Sequence, residues 1–339
     1  MPSHGRRERS LTIVLVLLAG ILAIVAPAYF SRDNLIDLLL ANVPVLIVSL
    51  GATLVIVSGE IDISVGSVFA ICSVVAALVA KAGVPLPAMT LVVLLVGAAL
   101  GALNGALVAY LRVPSIVVTL ATMIGLRDAL RWATQGAWVQ DLPASFQWLG
   151  TSQATYPVAI GATAALLVAL MAWGARHLAA GRAVYATGSS ASAARLVGLD
   201  VGRVKFWVFT IAGALTGASA IVNAARFNQV PSNSGLGLEM KVIAAVVVGG
   251  AVITGGRATF TGTVLGVALL GAIGPALTFL GASAYWERAI QGAIIVAAVA
   301  GDALRARHRP QAVRRVRLPL GGPRGRPLDD ARGRRADLT

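Results

Sequence analysis

Chemistry in this 339-residue chain has few places to reside, and most of them fall in one stretch, Ser58-Gly59-Glu60-Ile61-Asp62-Ile63-Ser64-Val65-Gly66-Ser67. It is a polar, glycine-punctuated island between apolar runs over 35–57 and 68–80. Carboxylates near a bilayer core are costly, so Glu60 and Asp62 need compensation. Two readings stay open: they rest hydrated at the headgroup level, or they border a water-filled pathway or docking surface. Asn104, between Gly101 and Gly105, bonds a neighbouring helix or lines a solute path. With Asn223, these give four candidate pathway residues: Asp62, Ser64, Asn104 and Asn223. Other chemistries lack their parts. There is no Gly-Lys-Ser/Thr phosphate loop, and no serine-histidine-aspartate grouping that one site could gather. His4, His177 and His308 are far apart, and Cys72 is the sole cysteine, so no metal centre, cofactor or disulfide is expected.

The elements that must position these groups are legible from composition. Hydrophobic residues make up 57% of the chain and charged residues 12%, against about 25% charged in soluble proteins, and mean hydropathy is +0.82. This is a polytopic membrane protein. Within lipid only helices or closed barrels satisfy the backbone, and the apolar runs are too long and too unalternating for barrel strands. The expected fold is all-α, about ten transmembrane helices in one bundle, over 11–30, 35–58, 63–81, 88–111, 113–126, 156–174, 204–224, 240–254, 260–280 and 286–301. The fifth and eighth are short and are expected to be broken or partly inserted. Ala26-Pro27-Ala28 resembles a signal-peptidase site. The apolar stretch nevertheless continues to Phe30, spanning length from Leu11, so it is read as the first span.

The net charge of +14 is unevenly placed: 11 of the 28 Lys and Arg lie within 305–335, outside the apolar body. Such flanks report orientation and lipid attraction, not nucleic acid. Ten spans put both termini on one side. Assigning that side to the cytoplasm gives it 21 Lys and Arg against seven on the other, with Arg127 and Arg131 closing the fifth span on the less basic side. The expected organisation is a basic segment over 1–10, a transmembrane domain over 11–303 with a cytoplasmic loop at 176–203, and a disordered basic tail over 304–339.

Small residues recur at four-residue spacing in Gly97-Gly101-Gly105, Gly213-Gly217 and Gly262-Gly266, which lets helix backbones approach closely. The loop over 131–155 carries Trp132, Trp138, Phe146 and Trp148, an interfacial aromatic belt or a set of faces for a sugar. In the 176–203 loop, serine caps, alanines and Gly198 spell a two-turn helix over 190–198, a docking element. Glu239 and Lys241 compensate one another or flank a vestibule. Thr254-Gly255-Gly256-Arg257 echoes Ser58-Gly59-Glu60, and at the same offset of 196 Gly66-Ser67 meets Gly262-Thr263; internal repeats are frequent in transporters. With no phosphate loop and few buried acids, the chain reads as a conduit driven from elsewhere.

Gly59-Glu60-Ile61-Asp62-Ile63-Ser64-Val65-Gly66-Ser67 resembles the Gly-Gly-Ile-Asp-Leu-Ser-Val-Gly-Ser signature of bacterial sugar ABC importer permeases, the ribose-type family. Asn104-Gly105, Val113-Pro114-Ser115-Ile116-Val117-Val118-Thr119-Leu120, Ala194-Arg195-Leu196-Val197-Gly198, Gly235-Leu236-Gly237-Leu238-Glu239 and Gly249-Gly250 with Gly255-Gly256 are similar to it in the same order, over roughly residues 10 to 303. Glu60 replaces the second glycine, and Met240-Lys241 stands where many members have leucine-aspartate. That variant and the loop around Trp138-Val139-Gln140-Asp141-Leu142-Pro143 look like the rhamnose and autoinducer-2 subgroup. The resemblance implies a permease of the bacterial inner membrane. Its partners would be ATP-binding subunits, a periplasmic sugar-binding protein and a second permease chain, identical or homologous. It maps Ser190, Ala193, Ala194, Arg195, Leu196 and Gly198 onto the ATPase-docking segment. The rivals are an ion-coupled secondary carrier, a branched-chain amino acid permease and a non-transporting membrane receptor or scaffold.

Overall fold

The computed structural model describes residues 4–307, Ala284 excepted. Its helices are α1 (His4–Val25), α2 (Arg32–Val57), α3 (Val65–Lys81), α4 (Leu86–Ala109), α5 (Ser115–Thr134), α6 (Tyr156–His177), α7 (Ala179–Ser189), α8 (Ala191–Leu196), α9 (Val201–Ala224), α10 (Leu238–Val248), α11 (Phe260–Phe279) and α12 (Trp286–Arg307). Ten of these correspond to the expected spans, and α7 and α8 are additional. Six, namely α1, α2, α4, α6, α9 and α11, are long and apolar enough to cross a bilayer, and α3 is a shorter apolar helix. Among the described residues no strand forms. A single bridge joins Val139 to Val230.

The bundle is built around α2. Apolar all round, it is buried over most of its length, as expected of a helix without a polar face. Around it pack α9, α11, α6 and α10. Ser219 on α9 donates to the Pro44 carbonyl at 2.7 Å, an acceptor within the helix whose ring nitrogen carries no hydrogen. The glycine spacing read from the sequence finds its partners here: Gly97, Gly101 and Gly105 of α4 face Gly213, Phe209 and Phe206 of α9. A Cβ on Gly101 would stand 3.1 Å from Gly213 Cα, too close for any larger residue. Gly262 and Gly266 of α11 meet Gly249 and Ala245 in the same way. Leu91, Leu95 and Leu103 on α4 and Val158, Leu166 and Leu170 on α6 stay exposed, the faces lipid would cover.

The structure moves several boundaries. The first span, expected over 11–30, is α1 with a separate 3-10 turn over Pro27–Phe30, and the last runs on from 301 to Arg307. Expected to stop at 126, α5 runs to Thr134, where Gln135 closes it at φ +51. Leucine, alanine and arginine are good helix formers, and Arg131 pairs with Asp128 one turn back at 3.8 Å on an exposed face. The eighth span is shorter than expected: α10 has 11 residues, about 16 Å, roughly half a hydrocarbon core. It stops at Gly249-Gly250, where Gly250 takes φ +102 and Gly249 is pressed against Gly262. Beyond it, 249–259 is irregular.

The loop over 131–155 folds back on 225–237. Val139 and Val230 exchange backbone hydrogen bonds of 3.0 and 2.8 Å, and Gln147 Nε2 donates to Asn228 Oδ1 at 2.9 Å. Phe146 is buried in that packing, and Trp132 is 79% exposed. The side chain of Trp148 and the tail from 308 onward lie outside the described residues, while 304–307 belong to α12. The two stretches that echo each other across 196 positions are in contact. Gly255 sits on Gly59, and the Thr53 and Thr263 hydroxyls are 2.8 Å apart.

A polar break, a cavity and a docking segment

The break between α2 and α3 answers the question of how its carboxylates are compensated. Ser64 donates to Asp62 Oδ1 twice, from its backbone N–H at 2.9 Å and its hydroxyl at 2.6 Å. Asn104 Nδ2 donates to the Ser64 hydroxyl at 2.8 Å. All three are buried, so Asp62 is held by a relay from α4 and not by bulk water. Hydrogen bonds to a carboxylate are the strong kind. Glu60 is compensated differently, by an ion pair with Lys205 in the first turns of α9. The irregular backbone is satisfied from α5: Ile61 N–H donates to Ser115 Oγ at 3.2 Å, and Thr119 Oγ1 donates to the Ile61 carbonyl at 3.4 Å. Non-helical backbone at membrane depth needs such partners.

Asn223 is elsewhere. It lies at the far end of α9, 18 residues beyond Lys205, about 27 Å along the helix. There it lines a cavity of about 600 Å³ with Ser73, Trp138, Asn228, Gln229 and Ser234, and Gly235 at its floor. That volume lies in the range of small-ligand sites, about 300–1,000 Å³. The lining combines hydroxyls, amides and one indole with the apolar side chains of Ala224, Phe227, Val230 and Pro231, and carries no formal charge. The structure thus brings Asp62, Ser64 and Asn104 together and leaves Asn223 apart, in the cavity. Sequence reasoning missed Ser73, which is buried with an unpartnered hydroxyl. Its signal was its place two turns beyond Gly66 on one face of α3, at the i, i+7 spacing. Glu239 and Lys241 form no ion pair with each other, and Glu239 Oε2 is buried without a hydrogen-bond partner.

At the other end, α7 and α8 form a compact projection. Ser190 caps α8, its hydroxyl accepting from Ala193 N–H at 3.2 Å. The helix closes with two reversed bonds, Gly198 N–H to the Arg195 carbonyl and Leu199 N–H to the Ala194 carbonyl, both 3.0 Å. Gly198 takes φ +82, the left-handed turn that glycine supplies at such ends. Ala194 is buried and anchors the element; Ala193, Arg195 and Gly198 are exposed, and Leu196 is 89% exposed. The projection is welded to the break. Gly188 at the end of α7 lies against the Val57 carbonyl, which also accepts from Gly256 N–H at 2.8 Å. A Cβ on Gly255 would stand 2.8 Å from Gly59 Cα and 2.9 Å from the Gly188 carbonyl. Tyr185 donates to the Ala258 carbonyl at 3.0 Å. Burial pushes this phenol above its usual pKa, with Arg176 acting in the opposite direction, so it stays a donor.

Comparison with known proteins fits this architecture. A family described as "Branched-chain amino acid transport system / permease component" matches residues 34–299. The autoinducer 2 import system permease protein LsrC of Yersinia pseudotuberculosis is 35% identical over 299 residues, 88% of this chain and 85% of that one. Its counterpart from Enterobacter sp. (strain 638) is 36% identical over 296 residues, covering 87% and 86%. No solved structure matches the chain. The chain belongs to this permease family: it is a multi-pass inner-membrane transport component of an ABC import system, a class that works with ATP-binding and substrate-binding partners.

Proposed function

We propose that this chain is the translocating subunit of an ATP-driven importer for a small hydroxylated solute, a monosaccharide such as rhamnose or the autoinducer-2 class of its relatives. It moves the solute inward by alternating access, without chemical change. The observation that carries this reading is the glycine joint, where the α7–α8 projection, the Ser58–Ser64 break and the 254–257 turn meet backbone to backbone. A load applied to the projection is felt directly at the break. Two ATP-binding subunits dock there, reading the exposed Arg195 and Leu196 with Ala193 and Gly198, while Ser190 and Ala194 hold the element in shape. A ligand shifts a conformational equilibrium only by binding one state better. The ATPase pair therefore grips the projection differently in its two nucleotide states.

In this reading both termini and the projection face the cytoplasm, supported by the 21-to-seven distribution of Lys and Arg. The permease body extends over 11–303, flanked by a basic N-terminal segment and a basic tail attracted to anionic lipid. A periplasmic solute-binding protein delivers to the cavity at Asn223, and a second permease chain completes the channel. Asp62, Ser64 and Asn104 border the path as a latch at the break. The neutral, amide-rich and indole-bearing cavity favours a polyol.

The test is uptake of labelled L-rhamnose, autoinducer 2 and L-leucine by cells with and without the chain. Loss of rhamnose or autoinducer 2 uptake on deletion is expected, and unaffected uptake of both removes the assignment. Replacing Arg195 and Leu196 by glutamate should abolish transport and release the ATP-binding subunits on purification. Persistence of both would reject the docking role. Gradient-driven uptake by the purified chain alone would identify a secondary carrier.

A further inference from the structure

Among the described residues, few buried side chains lack a hydrogen-bond partner, and three of them converge on one face of α3. They are Ser73 Oγ, Arg127 Nη1 and Glu239 Oε2. An orphaned buried polar atom is destabilising, the more so when charged, so three along one line call for a reason. Ser73 opens into the cavity. Two turns along α3, about 10 Å away, a Cβ on Gly66 would collide with Glu239 Oε2 and stand 3.3 Å from Arg127 Nη2. The guanidinium and the carboxylate thus flank the same glycine from α5 and α10, yet they form no direct ion pair. Arg127 had looked misplaced in the sequence, an arginine closing a span on the less basic side. In the structure it lies within α5 and is turned toward Gly66.

The cavity floor leads to this point. Gly235 lines the cavity, and a Cβ on Gly235 would stand 2.6 Å from the Gly66 carbonyl oxygen. The contact between Gly235 and Gly66 therefore lies between the cavity lining and the Arg127–Glu239 pair. The half-length α10 begins just past this contact, at Leu238, so its N-terminal dipole is directed to the same place. Discontinuous helices ending at a central site are a recurrent way of holding solutes in transporters.

We propose that Arg127 and Glu239, set across Gly66, form a diol-binding station that the solute occupies once it passes the Gly235–Gly66 constriction. A sugar hydroxyl both accepts and donates, so one diol bridges the pair: an oxygen accepts from the guanidinium while a hydroxyl donates to the carboxylate. Guanidinium and carboxylate offset each other's charge, which suits a neutral polyol. A zwitterionic amino acid could also span the two charges, but it would first have to shed water in a cavity that offers neither of its charges a partner. This inference rests on the importer reading above and names the chemistry of its deeper site.

The test uses the complete importer in membrane vesicles, with labelled L-rhamnose, autoinducer 2, D-ribose and L-leucine, and with monodeoxy analogues of whichever solute is taken up. Glu239→Gln and Arg127→Lys should each lower uptake at least tenfold while ATP-binding subunits still co-purify. The decisive readout is preference. Wild type should favour the parent over one monodeoxy analogue about tenfold, and the variants should lose that preference. A purely structural role would lower both solutes alike and overturn the station while leaving the importer reading intact. Recovery of wild-type uptake and preference by the swap Arg127→Glu with Glu239→Arg would also overturn it, because a solute site with its charges exchanged cannot keep the same selectivity. Should Glu239→Gln fail to reach the membrane, Arg127→Lys alone carries the preference test. Uptake of leucine and of no hydroxylated solute by wild type removes both the sugar reading and the station.

Discussion

At the joint beneath α7 and α8, close approach is made by backbone. Gly59, Gly188, Gly255 and Gly256 lie against one another and against the Val57 carbonyl, which accepts a hydrogen bond there. Along α3 side chains meet instead: Ser73 at the cavity, and Arg127 and Glu239 at Gly66, each carry a buried atom that has no hydrogen-bond partner. The joint is closely packed, backbone on backbone, with one buried hydroxyl, Thr187 Oγ1, left without a hydrogen-bond partner; close-packed interiors of this kind yield little before they rearrange. The cavity keeps unspent hydrogen-bonding capacity, as a part that must take up and release a hydrated solute should. The comparison separates mechanical from recognition residues without reference to either ligand.

The largest expected effect lies at the joint. A methyl at Gly188 collides with the Val57 carbonyl and would stand 2.7 Å from Gly256 N, so Gly188→Ala should abolish uptake, about tenfold or more, in chains that still reach the membrane. Normal transport by this variant would mean that the joint is slack. Next comes Glu60. Removing its partner with Lys205→Ala strands a half-buried carboxylate and should cost about 2–3 kcal/mol, read as a lowered melting temperature in detergent. Adding Glu60→Gly, which removes the stranded carboxylate, should return most of the loss. A smaller effect, about 1 kcal/mol, is expected for Ser190→Ala, which deletes the α8 cap. It should appear as faster amide exchange confined to 191–198, and exchange spreading into α9 would show that the projection is less independent than its caps imply. The smallest concerns the cavity: Ser73→Ala removes an unpartnered buried hydroxyl, so it should leave stability unchanged or slightly raised and shift apparent KM for uptake a few-fold, about 1 kcal/mol or less for one neutral hydrogen bond. A loss of stability instead would make Ser73 part of the packing and weaken the contrast.

The helix count and order were legible because long apolar runs leave the backbone no alternative in lipid. The α8 helix was legible for a local reason, Ser190 and Gly198 bracketing a run of alanine. The α4–α9 seam was legible in part: the spacing of Gly97, Gly101 and Gly105 announced a close partner, but nothing local named Gly213. What resisted was partnership across the chain. Lys205 lies 145 positions from Glu60, and Arg127 read as a loop residue because its destination, Gly66, is set by how α3 and α5 pack. Asp62, Ser64 and Asn104 were singled out by type alone, and only tertiary contact shows that they form one relay separate from Asn223. The extent of α5 was missed because arginines were taken as span ends, although the helix carries them inside.

The brevity of α10 constrains how the protein can move. Its roughly 16 Å leave about as much again of the hydrocarbon slab to be crossed by the irregular 249–259 strip, whose carbonyls and amides tolerate no contact with acyl chains. That strip is screened by α11 through Gly249 and Gly262 and by the Gly59 turn through Gly255. These three pieces are therefore held as a single wedge, and any sliding surface lies outside it.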